Sequence, residues 1–412
     1  MRIRINRLLT TAALAMSLSG VASGQCTLSG DLDGNGVVDG ADLAALLANW
    51  GQTCPAVIES VSPSHGPPSG GTTITITGIH LGGVQSVTIG GVAATNVVSV
   101  DSTTITAVTP RSNSLGAKDV VVTTSAGPAT FAGGFTYVSL AWATILQVNP
   151  NPAIITDPEW RARIIATGLP WRVRDNASQI EMLLVPPGTF MMGCSPSNQY
   201  GCSSSENPVH EVTLTQPMYL GRYEVTQAQW TAVMGINPSF FQNPSAEVPA
   251  AQVPFRPVEQ VSWNDIQDFE AATGLRLPTE AEWEYACRAG TSTAFNLPPN
   301  GTNADALLGQ MAWFRDNSAF QTRPVGQKQA NNLGLHDMHG NAYEWVEDWY
   351  GVDYYAQSPA IDPEGPTNGA ARMLRGGAWD FTSQSCRAAS RVNIEPDYRG
   401  NNYLGFRVAR TP

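Results

Sequence analysis

The chain has 412 residues and a formal net charge of -11 at neutral pH, from 34 acidic against 23 basic side chains. That balance repels nucleic acid and anionic membrane surfaces, which excludes polyanion binding as the main task. The length exceeds one ordinary domain, and six cysteines are an even number, suited to disulfides in an exported chain.

Arg2, Arg4 and Arg7 precede an apolar run that ends in small residues near Ala22 to Gly24. This is the pattern of a secretory signal peptide over residues 1–24, and the run is too short for a membrane span. The chain is therefore expected to be exported, whether secreted, periplasmic or at the cell surface.

Next comes DLDGNGVVDGAD, residues 31–42. It sets Asp31, Asp33, Asn35, Asp39 and Asp42 at positions 1, 3, 5, 9 and 12 of a calcium loop, with Gly36 at the sharp turn and the Val37 carbonyl at position 7. LAALLANW then reads as a helix. The unit over residues 25–55 resembles one type I dockerin repeat, which implies a short EF-hand-like loop and helix holding Ca2+. A whole dockerin has two repeats, so cohesin binding is not expected from one. Cys26 and Cys54 flank the unit and are placed to clamp its ends.

Residues 56–138 contain no tryptophan, whereas ten of the eleven lie after residue 139, so a boundary is placed there. Short β-branched runs alternate with Gly and Pro turns, as strands of a sandwich do. The text from SPSHGPPSGGTTITITG to FTY resembles the IPT/TIG family, which implies an immunoglobulin-like β-sandwich. No catalytic group stands out in it.

Residues 139–179 read as a junction, with a short helix over 157–168. Beyond it, Thr226 with Gln229, Ser262 with Asp265 and Thr279 with Glu282 each pair a side-chain acceptor with a partner three residues on. These pairs predict three short helices that close near Gly235, Gly274 and Gly290. From residue 180 the phrases MLLVPPGTFMMG, YEVTQAQW, LRLPTEAEWEYACRAG, NNLGLHDMHGNAYEWVEDW, RMLRGGAWD and NYLGFRVAR stand in one order. Together they resemble the formylglycine-generating enzyme, or sulfatase-modifying factor, family. The resemblance covers residues 180–412 and implies an α+β, C-type-lectin-like fold that is low in regular structure.

That family's oxidases are understood to use copper on two thiolates, in text close to Gly-Gly-Ser-x-x-Cys-x-x-x-x-Cys. Counted from Gly376 and Gly377, Ala378 stands at the serine, Phe381 at the first cysteine and Cys386 at the second. One thiolate beside a phenyl ring makes a poor copper site, so copper is not expected. Counted from the arginine side, CRAASR instead resembles the family's structural cysteine, whose partner is the cysteine of EYACRAG. That register implies a disulfide between Cys386 and Cys287, and both registers stay open.

DMHGNAYEW resembles the family's calcium loop. The matching positions imply Asp337, Gly340, Ala342 and Glu344 as oxygen ligands of Ca2+. Arginines 372, 375, 387, 391, 399 and 407 lie among Tyr343, Trp345, Trp349 and Trp379. Such a mixture suits a groove for a protein, peptide or glycan ligand as well as it suits plain packing.

The expected function is an exported protein whose C-terminal domain lacks the copper site and serves as a calcium-stabilised binding or scaffold module. The alternative is a divergent oxidoreductase of the same family that uses Cys386 on a protein or small-molecule thiol.

Overall fold

The structure is a computed structural model that describes Gly40, Ala44 and residues 55–114, 116–138, 140–196, 200–298 and 300–412. The predicted signal peptide, the calcium ligands Asp31, Asp33, Asn35, Val37, Asp39 and Asp42, and the Cys26 and Cys54 clamp lie outside the described residues. The chain divides into two compact units, one built mainly before residue 135 and one mainly after it.

In the first unit, Val57–Ser62, Thr73–Ile79, Thr104–Val108 and Thr95–Ser99 form one sheet in that order. Thr73–Ile79 shows why these residues make strands: its β-branched text alternates, with Ile74 and Ile76 fully buried and their neighbours less so. A second sheet includes Val84–Ile89, Val92–Ala93 and Gly116–Thr124. Ile105, Ala107, Val87, Ile89, Val120 and Val122 complete the core.

The second unit takes in the whole of what the sequence reads as a junction. Ala143–Gln147 and Arg172–Asp175 are strands, and helix α1, Pro158–Ala166, is capped by the Asp157 side chain. The two strands join Glu181–Val185, Met218–Gly221 and Ala409–Arg410 in a five-stranded sheet. The stretch is thus part of the folded unit, because Trp160, Ile164, Trp171 and Val173 all enter its core.

The three capped helices form as predicted. Helix α2 is Gln227–Met234, α3 is Trp263–Thr273 and α4 is Glu280–Arg288, each opened by a reciprocal capping box. Gly235 and Gly274 close the first two in the left-handed region, but α4 closes one residue earlier than predicted, on Ala289. A second sheet, in the order Val392–Ile394, Arg372–Arg375, Tyr343–Trp349 and Leu404–Phe406, lies beside α4 and carries the candidate site.

Candidate functional site

Tyr343–Trp349 runs antiparallel to Arg372–Arg375, with Glu344 opposite Arg375, so the Arg-Gly-Gly turn starts at the end of this strand pair. Gly376 and Gly377 both take left-handed backbone, and a Cβ on Gly377 would sit 2.6 Å from the Cys386 sulfur. Only glycine allows the turn to press on that thiol. Ala378 is fully buried, while the Phe381 ring packs edge-on against Tyr343 at 4.9 Å and Tyr403 at 5.0 Å. In the register counted from Gly376 and Gly377, the position that would need a thiolate is thus part of an aromatic cluster.

The disulfide between Cys287 and Cys386 that the register from the arginine side implies is not formed: both are free, buried thiols. Burial pushes each thiol up to about 12, which keeps it protonated and unreactive at neutral pH. His339 stands between them. Its Nε2 accepts the Asn296 backbone N–H at 3.2 Å and lies 3.9 Å from the Cys287 sulfur. Its Nδ1 lies 2.6 Å from the Cys386 carbonyl oxygen and therefore donates to it. Burial lowers this histidine to about 4, so it is a neutral bridge. Cys194 and Cys202 are bonded to each other.

The arginines expected to line a groove are mostly the inner frame of the domain. Helical spacing puts Glu280, Glu284 and Arg288 on one row of α4, where Glu284 pairs with Arg288 at 2.7 Å and also with Arg375. Arg391 meets Glu280 at 2.7 Å, Arg387 meets Glu206 at 2.7 Å, and Arg407 grips both oxygens of Glu344 at 2.6 Å. Buried guanidinium groups need such partners, and here each has one. Arg399 is exposed beside Asp265, and Arg372 is held between two tryptophan rings.

The predicted calcium loop is brought together in part. Gly340 takes left-handed backbone, and a Cβ there would lie 2.2 Å from the Trp313 carbonyl oxygen. Asp337 is buried, accepts the Gly326 N–H at 2.7 Å through one oxygen, and leaves Oδ1 without a partner. Burial pushes its carboxyl up to about 6. Glu344 is already engaged by Arg407 and by the Trp283 indole N–H at 2.6 Å. Glu224, which the sequence reading missed, accepts the Ala342 N–H at 2.8 Å and the Asn341 amide at 2.6 Å. Burial, followed by the charges of Asp337 and Glu344, raises Glu224 well above the usual carboxylate range. Asp337 and the loop carbonyls fit a hard cation by donor type, whereas Glu344 as placed serves Arg407 first.

The sulfatase-modifying factor enzyme 1-like domain profile matches residues 171–412. The chain belongs to this family. The IPT/TIG domain profile matches residues 56–137, so the protein joins an immunoglobulin-like β domain to a C-type-lectin-like one. The formylglycine-generating enzyme of Streptomyces coelicolor is 32% identical over 312 residues, covering 63% of this chain and 95% of that protein. The chaperone protein LppX of Paenibacillus barcinonensis is 32% identical over 262 residues, 51% of this chain and 85% of that one. Among solved structures, Treponema denticola variable protein 1 superposes with a TM-score of 0.50 and 31% identity, over 57% of this chain and 95% of that one.

Proposed function

We propose that the sulfatase-modifying factor domain of this protein is a binding or scaffold module and not a thiol oxidase. The observation that carries the reading is Phe381: it stands where the family's first thiolate would be and is packed between Tyr343 and Tyr403. The buried, protonated thiols of Cys287 and Cys386 support it, since copper and oxygen chemistry needs thiolates that metal and substrate can reach. A chaperone among the similar proteins is consistent with a member that binds. Copper has no place in this reading.

The same reading assigns Ca2+ to the 337–344 loop, through Asp337 and the carbonyls of Gly340 and Ala342, with Glu344 at its edge. The cation would neutralise carboxyls that burial otherwise disfavours and would order the loop. Export and a second calcium site at residues 31–42 belong to the same proposal and rest on sequence pattern alone.

The test is to incubate the purified chain with copper, oxygen and a cysteine-containing sulfatase-type peptide, and to read aldehyde by hydrazone formation. No aldehyde above the no-protein control is expected, and catalytic aldehyde formation would overturn the proposal. Calcium is tested separately: Ca2+ should raise the melting temperature of the parent, and Asp337→Asn should reduce that rise.

A further inference from the structure

We propose that a recess between helix α1 and the end of α4 is a binding site for a small monocarboxylate with a flat apolar body. The inference goes beyond the module reading, and it stands whichever way the aldehyde assay falls. The recess holds about 170 Å³, below the range of drug-sized ligands and enough for one ring-sized group. Trp160, Phe190 and Tyr285 wall it with aromatic rings, Phe190 and Trp160 lying 5.4 and 6.1 Å from Tyr285. Such walls favour an apolar ring in contact with them.

Arg163 gives the recess its charge. It follows Trp160 by three residues on α1, so helical spacing lays its guanidinium over that indole, 4.2 Å from the ring centre. One nitrogen, Nη2, donates to the Pro187 carbonyl at 2.7 Å and to the Tyr285 hydroxyl at 2.6 Å. Gly188 makes room for it, since a Cβ there would lie 2.0 Å from Nη2. Nε and Nη1 have no acceptor among the described residues, and neither is closed to solvent. The group is thus fixed in place with donors to spare.

No ion pair cancels that charge. Arg163 forms none among the described residues, whereas the other arginine of the recess, Arg288, is neutralised by Glu284 at 2.7 Å. No acid lines the recess: Glu159, a turn earlier on α1, and Glu211, opposite Met191 on the paired strand, are exposed and stand outside it. Two further donors add to Arg163. The Tyr285 hydroxyl accepts from Arg163 and keeps its own proton to give. Trp160 is only 5% exposed, yet its Nε1 has no acceptor among the described residues and is not closed to solvent. Gly290 lies against that nitrogen, where a Cβ would come within 3.1 Å. Three donor groups, one of them charged, beside aromatic walls select a carboxylate on a ring, and a cation is excluded by sign.

The experiment titrates the full chain with benzoate and reads binding by saturation-transfer difference NMR. Benzamide keeps the ring and loses the charge, while inorganic phosphate, read by displacement of benzoate, keeps a charge and loses the ring. Benzoate should bind saturably at about 1 mM or tighter, and both controls at least about tenfold more weakly. Arg163→Met keeps the stem over Trp160 and should weaken benzoate at least about tenfold. Ser292 lines the recess on its exposed rim, so Ser292→Glu should weaken benzoate and Ser292→Lys should tighten it, each about threefold.

No saturable benzoate binding, benzamide or phosphate as effective as benzoate, or unchanged affinity in Arg163→Met would each overturn the proposal. Because Ser292 is exposed, its two variants should keep the parent melting temperature. They decide the matter if Arg163→Met fails to fold: opposite shifts in benzoate affinity support the site, and equal affinities sink it.

Discussion

Replacing Arg407 by methionine removes the cation that holds Glu344, and both groups are fully buried. The carboxylate would keep the Trp283 N–H but lose two charge-assisted hydrogen bonds in a site closed to water. Breaking a buried pair in this way costs about 3–5 kcal/mol. At about 2–4 °C per kcal/mol for a domain of this size, the melting temperature should fall by roughly 6–20 °C. Adding Glu344→Gln should restore more than half of the loss, since the neutral amide keeps an acceptor for Trp283 without an unpaired charge. Calorimetry of the parent and both variants at neutral pH decides the matter. A fall below about 2 °C, or no recovery in the double variant, would refute the role assigned to this pair.

Other expectations follow from the same frame. Thr279→Ala opens the capping box of α4 and should cost about 1 kcal/mol in chemical unfolding, while Thr279→Ser should be close to neutral. His336 and His339 are both lowered to about 4 by burial, so the unfolded chain binds more protons between about pH 4 and 6.5. Their stabilising contribution is present above pH 6.5 and lost as pH falls toward 4, by up to about 3 kcal/mol each, and His339→Gln should flatten this acid limb. Phe381→Ala should loosen the contact with Tyr343 and Tyr403 and cost about 2–4 kcal/mol, read as a lower denaturant midpoint with unchanged slope.

Local signals carried far along this chain. Thr226, Ser262 and Thr279 announce their helices because a capping box is closed within four residues and needs no tertiary partner. The alternation in Thr73–Ile79 announces a half-buried strand for the same reason. Partners distant in sequence were not legible. Arg387 finds Glu206, and Arg391 finds Glu280, across more than a hundred residues, so arginines that look like a groove in the sequence are inner struts. Glu224 carried no motif, and only its burial beside Ala342 shows that it belongs to the 337–344 loop. The junction hid two strands because Ala143–Gln147 is short and its partner Arg172–Asp175 lies beyond a helix. Pairing Cys287 with Cys386 satisfies parity in the sequence, but the fold places His339 and Asn296 around the Cys287 thiol.

The most direct measurement is iodoacetamide labelling of the folded chain at pH 8, with and without Cu(I), followed by denaturation, a second label and mass mapping of the peptides that carry Cys287 and Cys386. Both cysteines should take only the second label, and copper should change nothing. Rapid labelling of Cys386 in the folded state, with protection by copper, would contradict it.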